Sequence, residues 1–245
     1  MNKKMIAGLM ACAVLAGAAV GGTIAWLTDK TEKVENTFTV GNVSIELWEN
    51  DYITEKDNPT DKTTIGELDT TKKVSSNTDY HFVPGDTLPK NPWVTVKANS
   101  EKCYLFVKIT EAHNECTLSK TSGDSEDRTV DSLIIWEVCD QGESENTDPQ
   151  KGWVKHQVSG TPKGATYYYR IVEKASTDQE FKILKDDQVK IDLTITKEMV
   201  SKINGKADKL DDNPTLTFEA AAVQFDNITD MEAAFKETGW ETSGN

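Results

Sequence analysis

Histidine is scarce: three residues, His81, His113 and His156, are scattered over separate polar stretches of a 245-residue chain. A zinc peptidase needs two imidazoles one helical turn apart, with a glutamate beside them as base, and that H-E-x-x-H arrangement is absent. Also absent are G-x-S-x-G, which presents a nucleophilic serine on a strained turn, and the G-x-G-x-x-G and G-x-x-x-x-G-K-[ST] loops that cradle phosphates. No catalytic residue, cofactor site or metal site can be nominated from motifs. Basic residues are outnumbered, with 27 Lys and Arg against 41 Asp and Glu and a formal charge of −14. A surface of that sign repels nucleic acid and anionic membranes, so neither is expected as a partner. Apolar residues make up only 37%, enough for one modest core under generous polar loops.

The long apolar run is confined to the beginning of the chain. Lys3 and Lys4 precede Met5 to Val20, and Gly21, Gly22 and Thr23 follow, the order of a secretory signal. Thr23-Ile24-Ala25 sets small side chains at the two positions a signal peptidase reads, so cleavage is expected between Ala25 and Trp26. The competing reading, a membrane anchor, fits less well because the run is rich in Ala and Gly rather than Leu and Ile. Leu9-Met10-Ala11-Cys12 has a faint lipobox look, but the apolar segment continues well beyond Cys12. Loss of residues 1–25 removes two lysines and moves the charge from −14 to about −16. Cys103, Cys116 and Cys139 then remain, a set that permits any one of three single disulfides with a thiol left over, or none.

Trp26 to Asn36 is polar apart from Trp26, Leu27 and Val34, and cannot bury enough surface to order itself without a neighbour. In Thr37 to Trp48, apolar Phe38, Val40, Val43, Ile45 and Leu47 alternate with polar residues, with a break of register at Gly41-Asn42, as in a half-buried strand. Glu49 to Tyr80 reads as a long surface insertion and Ala112 to Asp131 as a polar loop. Between them, Val83 to Thr87 is a turn built on Pro84 and Gly85. Val94, Val96 and Ala98 alternate, as do Leu105, Val107 and Ile109 against Tyr104, Phe106 and Lys108, and Asn99 to Lys102 between them suggests a hairpin.

Leu133 to Cys139 and Gly152 to His156 read as a pair of short strands, with Trp136 and Trp153 able to pack across them. Tyr167 to Val172, Phe181 to Leu184, Val189 to Ile195 and Leu216 to Phe225 complete the strands. Alternation sends Tyr168 to one face and Tyr167 and Tyr169 to the other, which favours packing over a carbohydrate platform. Short helices are expected over Thr196 to Ile203 and within Thr229 to Trp240, the latter ended by Gly239. Nine or ten short strands without β-α-β alternation predict an all-β, antiparallel jelly-roll or Greek-key sandwich with two short helices and long polar loops. Asp186-Asp187 and Asp211-Asp212 hold oxygens suited to calcium, although such pairs are most often solvated turn residues.

Gly22 to Asp29, followed by Asn36-Thr37-Phe38-Thr39-Val40-Gly41-Asn42-Val43, resembles the leader and first strand of the TasA/camelysin family, whose members are processed by the signal peptidase SipW. Further segments are similar in the same order. They are Val83 to Thr87 with Lys90 and Pro92, Tyr104 to Val107, Tyr167 to Tyr169 ahead of Val189 to Ile195, and Leu216 to Phe225 with Glu232 to Phe235. The resemblance implies a secreted jelly-roll protein of a Gram-positive bacterium, located in the extracellular matrix or at the cell surface, that assembles into fibres of a biofilm matrix. It implies a division into signal peptide (1–25), donor strand (26–36) and jelly-roll domain (37–245).

In that family the mature amino-terminal segment inserts as a strand into a neighbouring subunit. Here the donor would be Trp26 to about Asn36, with Trp26, Leu27 and Val34 as its apolar contacts. The implied partners are further copies of the chain, head to tail, a companion matrix protein, and the signal peptidase. The chain departs from the family pattern in the insertions Glu49 to Tyr80 and Ala112 to Asp131. Two other readings compete: a camelysin-like cell-surface metalloendopeptidase, and a monomeric surface-binding module. A frayed terminus, or a segment that pairs within its own chain, competes with strand exchange.

Overall fold

Most of the period-two alternation in the sequence is realised as antiparallel strands. The computed structural model describes residues 28–31, 43–53, 66–77, 80, 84–112, 116–118, 128–130, 132–140, 146–158, 161, 164–194 and 214–240. Within them lie β1 (Thr28–Thr31), β2 (Ile45–Ile53), β3 (Glu67–Val74), β4 (Thr87–Pro89), β5 (Trp93–Val96), β6 (Cys103–Ala112), β7 (Cys116–Leu118), β8 (Arg128–Val130) and β9 (Ile134–Ile135). They are followed by β10 (Val154–His156), β11 (Ala165–Val172), β12 (Gln179–Lys182), β13 (Gln188–Ile191), β14 (Thr215–Gln224) and the helix α1 (Met231–Glu237). One sheet has the order β1-β14-β6-β11-β10 and a second the order β12-β5-β2-β3. The chain is an all-β antiparallel sandwich of these two sheets, with smaller sheets β4-β13-β9 and β7-β8 alongside.

The core follows from alternation. Leu105, Val107 and Ile109 of β6, Ala220 and Ala222 of β14, Ile45 and Leu47 of β2, and Val94 and Val96 of β5 face one another between the sheets. The reverse face of the first sheet is aromatic, with Tyr104, Phe106 and Tyr167 buried and Tyr169 partly so. α1 covers it. Asp230 caps the helix by accepting a hydrogen bond from the Ala233 backbone N–H at 2.9 Å, and Gly239 at φ +66° ends it. Phe235, fully buried, stands edge-on to Tyr167 and Phe106 with ring centroids 5.1 and 5.7 Å away. The expected division of the tyrosines holds, since Tyr168 joins the core between the sheets and Tyr167 the face under α1. Among the described residues no helix is long and apolar enough to cross a membrane.

Several local expectations differ from what forms. Asn99 to Lys102 is not a hairpin: β5 and β6 belong to different sheets, so the connection is an arch across the sandwich. Asn99 takes the left-handed backbone region at φ 63°, and its N–H donates to the Ala175 carbonyl at 2.7 Å. Both neighbouring strands bury one whole face, and strands with apolar faces can satisfy them across the sandwich as well as side by side.

The region read as the insertion Glu49 to Tyr80 contains the last residues of β2 and all of β3, joined by antiparallel pairing with a register shift at Asn50/Asp51. β3 escaped the pattern because it is an edge strand whose residues are mostly exposed and polar. Ala112 to Asp131 likewise holds the β7-β8 pair. β9 pairs with β13, and β10 with β11, rather than with each other. Trp136 instead stands edge-on to Tyr168, while the Trp153 Nε1–H donates to the Lys182 carbonyl at 2.8 Å. The strand expected over Val189 to Ile195 stops at Ile191, because Asp192 Oδ1 accepts from the Thr194 N–H and the chain turns there. The helix expected over Thr196 to Ile203 lies outside the described residues.

Phe235→Ala is expected to cost about 3–5 kcal/mol, the usual range for deleting a fully buried aromatic ring. Urea unfolding followed by tryptophan fluorescence measures it. A cost below about 1 kcal/mol would mean that α1 is not part of the folded core.

Candidate functional site

The expected donor segment is described in its middle only. Ala25 and Trp26, the expected cleavage pair, and Leu27 and Val34, two of the expected apolar contacts, lie outside the described residues. Thr28 to Thr31 form β1, which pairs antiparallel with β14 of the same chain. Thr28 lies opposite Val223, Asp29 opposite Ala222, Lys30 opposite Ala221 and Thr31 opposite Ala220. Of the three arrangements left open by the sequence, strand exchange, a frayed terminus and pairing within the chain, residues 28–31 of the single chain show the last.

The pairing is short compared with the strand that accepts it. β14 has ten residues, and β6 pairs along all of them on the inner side, whereas the four residues of β1 cover only part of the outer side. Each ladder hydrogen bond contributes about 0.5–1.5 kcal/mol net. No described strand lies beside Thr215–Glu219 on the outer side.

At the end of the sandwich where β14 begins, a polar cluster is buried instead of a hydrophobic plug. Glu49 is 5% exposed and Lys90 8%, and the Lys90 ammonium donates to Glu49 Oε2 at 2.6 Å. The second carboxylate oxygen, Oε1, accepts the Asn77 backbone N–H at 2.8 Å. Asn50 and Asn91 are interlocked: the Asn50 N–H donates to Asn91 Oδ1 at 3.0 Å, and Asn91 Nδ2 donates to Asn50 Oδ1 at 2.7 Å. Asn77 stands in for a strand where the β2-β3 register shifts, donating through Nδ2 to the Asn50 carbonyl and accepting the Tyr52 N–H at 2.7 Å. Tyr52 in turn accepts the Gly66 N–H at 2.7 Å and packs on Tyr80, with ring centroids 4.4 Å apart. Burial, with Glu49 nearby, holds the Tyr80 phenol well above its ordinary range.

The cluster fastens β3 to β2 through the specific hydrogen bonds of Glu49, Asn50, Asn77 and Asn91, whereas Tyr80 joins by ring packing alone and its buried hydroxyl has no hydrogen-bond partner, so the role of the cluster is register. Among the described residues it contains one carboxylate and no imidazole. In sequence these residues read as solvated, because nothing in a single polar residue marks it as buried.

The remaining candidates are dispersed. His81 and His113 lie outside the described residues; His156 is buried beneath α1, its Nδ1 3.7 Å from Glu232. Asp211-Asp212 lie outside as well, and Asp187 Oδ2 pairs with Lys182 at 2.6 Å. Among the described residues no group of three or more His, Cys, Asp or Glu side chains is placed to hold a metal ion. Cys103 and Cys139 are both free, so the bridge between these two is not formed. Burial pushes the Cys103 thiol up to about 12, and burial with Asp140 nearby pushes Cys139 up to about 11. Both are protonated and poorly nucleophilic near neutrality. The side chain of Cys116 lies outside the described residues.

No family model, no curated protein and no solved structure matches this chain.

Lys90→Met is expected to destabilise the fold by about 3–5 kcal/mol, because it leaves the Glu49 carboxylate buried without its partner. Lys90→Met combined with Glu49→Leu should recover most of that loss, since the desolvation cost goes with the charge. Chemical denaturation of the two variants checks this. Equal losses in both would assign the effect to packing rather than to the ion pair.

Proposed function

We propose that this chain is a secreted structural subunit of an extracellular biofilm-matrix fibre of a Gram-positive bacterium. It polymerises head to tail when Trp26 to Asn36 of one subunit pairs with a neighbour. The observation that carries the reading is the complementarity of the amino-terminal segment and β14: β1 pairs with that strand at Ala220–Val223, on the side away from β6. A strand that fits this edge within one chain fits the same edge on the next, and the resulting contact is heterologous and does not close. The length agrees, because carrying the β1 register onward would set residues 27–36 opposite residues 224–215.

Three further features support the reading. The leader, with cleavage between Ala25 and Trp26, would free the segment at its amino end. The order of motifs from Gly22 to Phe235 resembles a family of secreted fibre proteins. The acidic surface keeps subunits soluble until a specific contact forms.

Protein beginning at Trp26 is expected to form filaments in negative stain, whereas protein beginning at Thr37 should stay monomeric with an unchanged near-ultraviolet circular dichroism spectrum. Filaments in equal yield from the shorter protein would overturn strand donation.

A further inference from the structure

Alternation along β11 turns Arg170 to the same face as Tyr168 and Val172, into the space between the two sheets. A cation in such a position is ordinarily held by bidentate hydrogen bonds to a carboxylate. Here it is held by rings. The guanidinium carbon lies 4.1 Å from the ring centroid of Phe181 and 5.4 Å from that of Trp153, and Trp153 is itself locked by its bond to the Lys182 carbonyl. The Arg170 side chain is only 12% exposed, and its Nε is sealed from solvent with no hydrogen-bond partner. Asp140 Oδ2 stands 3.8 Å from Nη1, beyond hydrogen-bond reach, on a side chain that is nearly half exposed. The backbone sets that position: Asp140 takes the left-handed region at φ 63°, and a Cβ on Gly152 would come within 2.4 Å of Asp140 Cβ. Burial holds the guanidinium below its ordinary range, and the neighbouring Cys139 is protonated and adds no charge.

We propose that Arg170 is a binding site for a carboxylate, its guanidinium presented between the rings of Phe181 and Trp153 beside the edge strands β10 and β12. Stacking fixes the guanidinium plane before a ligand arrives, so little side-chain freedom is lost on binding. Nε faces protein, which leaves the Nη1–Nη2 edge to meet the ligand, and that edge matches the two oxygens of a planar carboxylate. A spherical anion such as chloride cannot engage the fork in this way. Asp140 supplies a distant counter-charge and leaves the donors of the fork to the ligand. One bidentate contact of this kind gives a small anion a dissociation constant of roughly 1–50 mM. The carboxylate can belong to a free small acid or to an Asp or Glu side chain on a second copy of this acidic chain, since both present the same planar group. β11 is two strands from β14 in its sheet, and the site does not depend on the fibre reading.

The chain has two arginines, Arg128 and Arg170, so protein ¹⁵N-labelled at arginine gives two Nε–H signals, and Arg128→Lys assigns them by removing one. Sodium acetate is the probe, with sodium chloride at the same ionic strength as the control. The Arg170 signal is expected to move along a saturating curve that is half complete in the millimolar range above, while chloride leaves it in place. Arg170→Lys keeps the charge but loses the fork, and should bind acetate at least about tenfold more weakly, read from the Trp153 indole N–H. Movement of the Arg170 signal on concentrating the protein without acetate would identify the carboxylate as one on a second copy. Acetate binding with no dependence on protein concentration would assign the site to a free small acid. An acetate shift that is absent, does not saturate or is matched by chloride would overturn the site. So would saturable binding confined to Asp140→Asn protein, because Asp140 would then fill the fork itself.

Discussion

The outer edge of β14 is the constraint on which the other features depend. β14 is fastened to β6 along its whole length on one side, and on the other it presents backbone groups that only a strand can pair. Its centre is built to be approached closely. Ala220, Ala221 and Ala222 are fully buried and small, so a strand laid beside them meets backbone and not bulky side chains.

Both faces of the first sheet are already committed. One lies against β2 and β5, and the other lies under α1, with Phe235 among Phe106 and Tyr167. The buried Glu49–Lys90 pair and its asparagines hold the end of the sandwich where β14 begins. A buried pair of this kind contributes little net stability but penalises any other register strongly, which suits a surface that must present one fixed template.

Much of the fold was legible in the sequence where residues alternate cleanly. Leu105, Val107 and Ile109 opposite Tyr104 and Phe106 gave β6 and both of its faces, and Ala234-Phe235 with Gly239 gave α1. Pro84-Gly85 marked its turn, and Gly85 sits at φ +89° as that turn requires. Illegible features were those decided by distant partners. β3 is polar because its exposed edge leaves it nothing to bury, so it read as a loop, and the arch at Asn99 carries the same residues as a hairpin. Of the candidate site, the sequence marked the amino-terminal segment by its need for a neighbour but carried no sign of which strand would receive it. Glu49 was read with the surface insertion Glu49 to Tyr80, because its burial depends on groups distant in sequence, Lys90 among them.

The central claim is that the strand beside β14 in the assembled state comes from a different subunit. Filaments grown from an equal mixture of ¹⁵N-labelled and unlabelled protein, then cross-linked and digested, report this directly. Among cross-linked pairs joining residues 26–36 to residues 215–224, the account predicts that about half carry one labelled and one unlabelled peptide, as random exchange between chains demands. Pairs that are always both labelled or both unlabelled would place the strand in its own chain and contradict it.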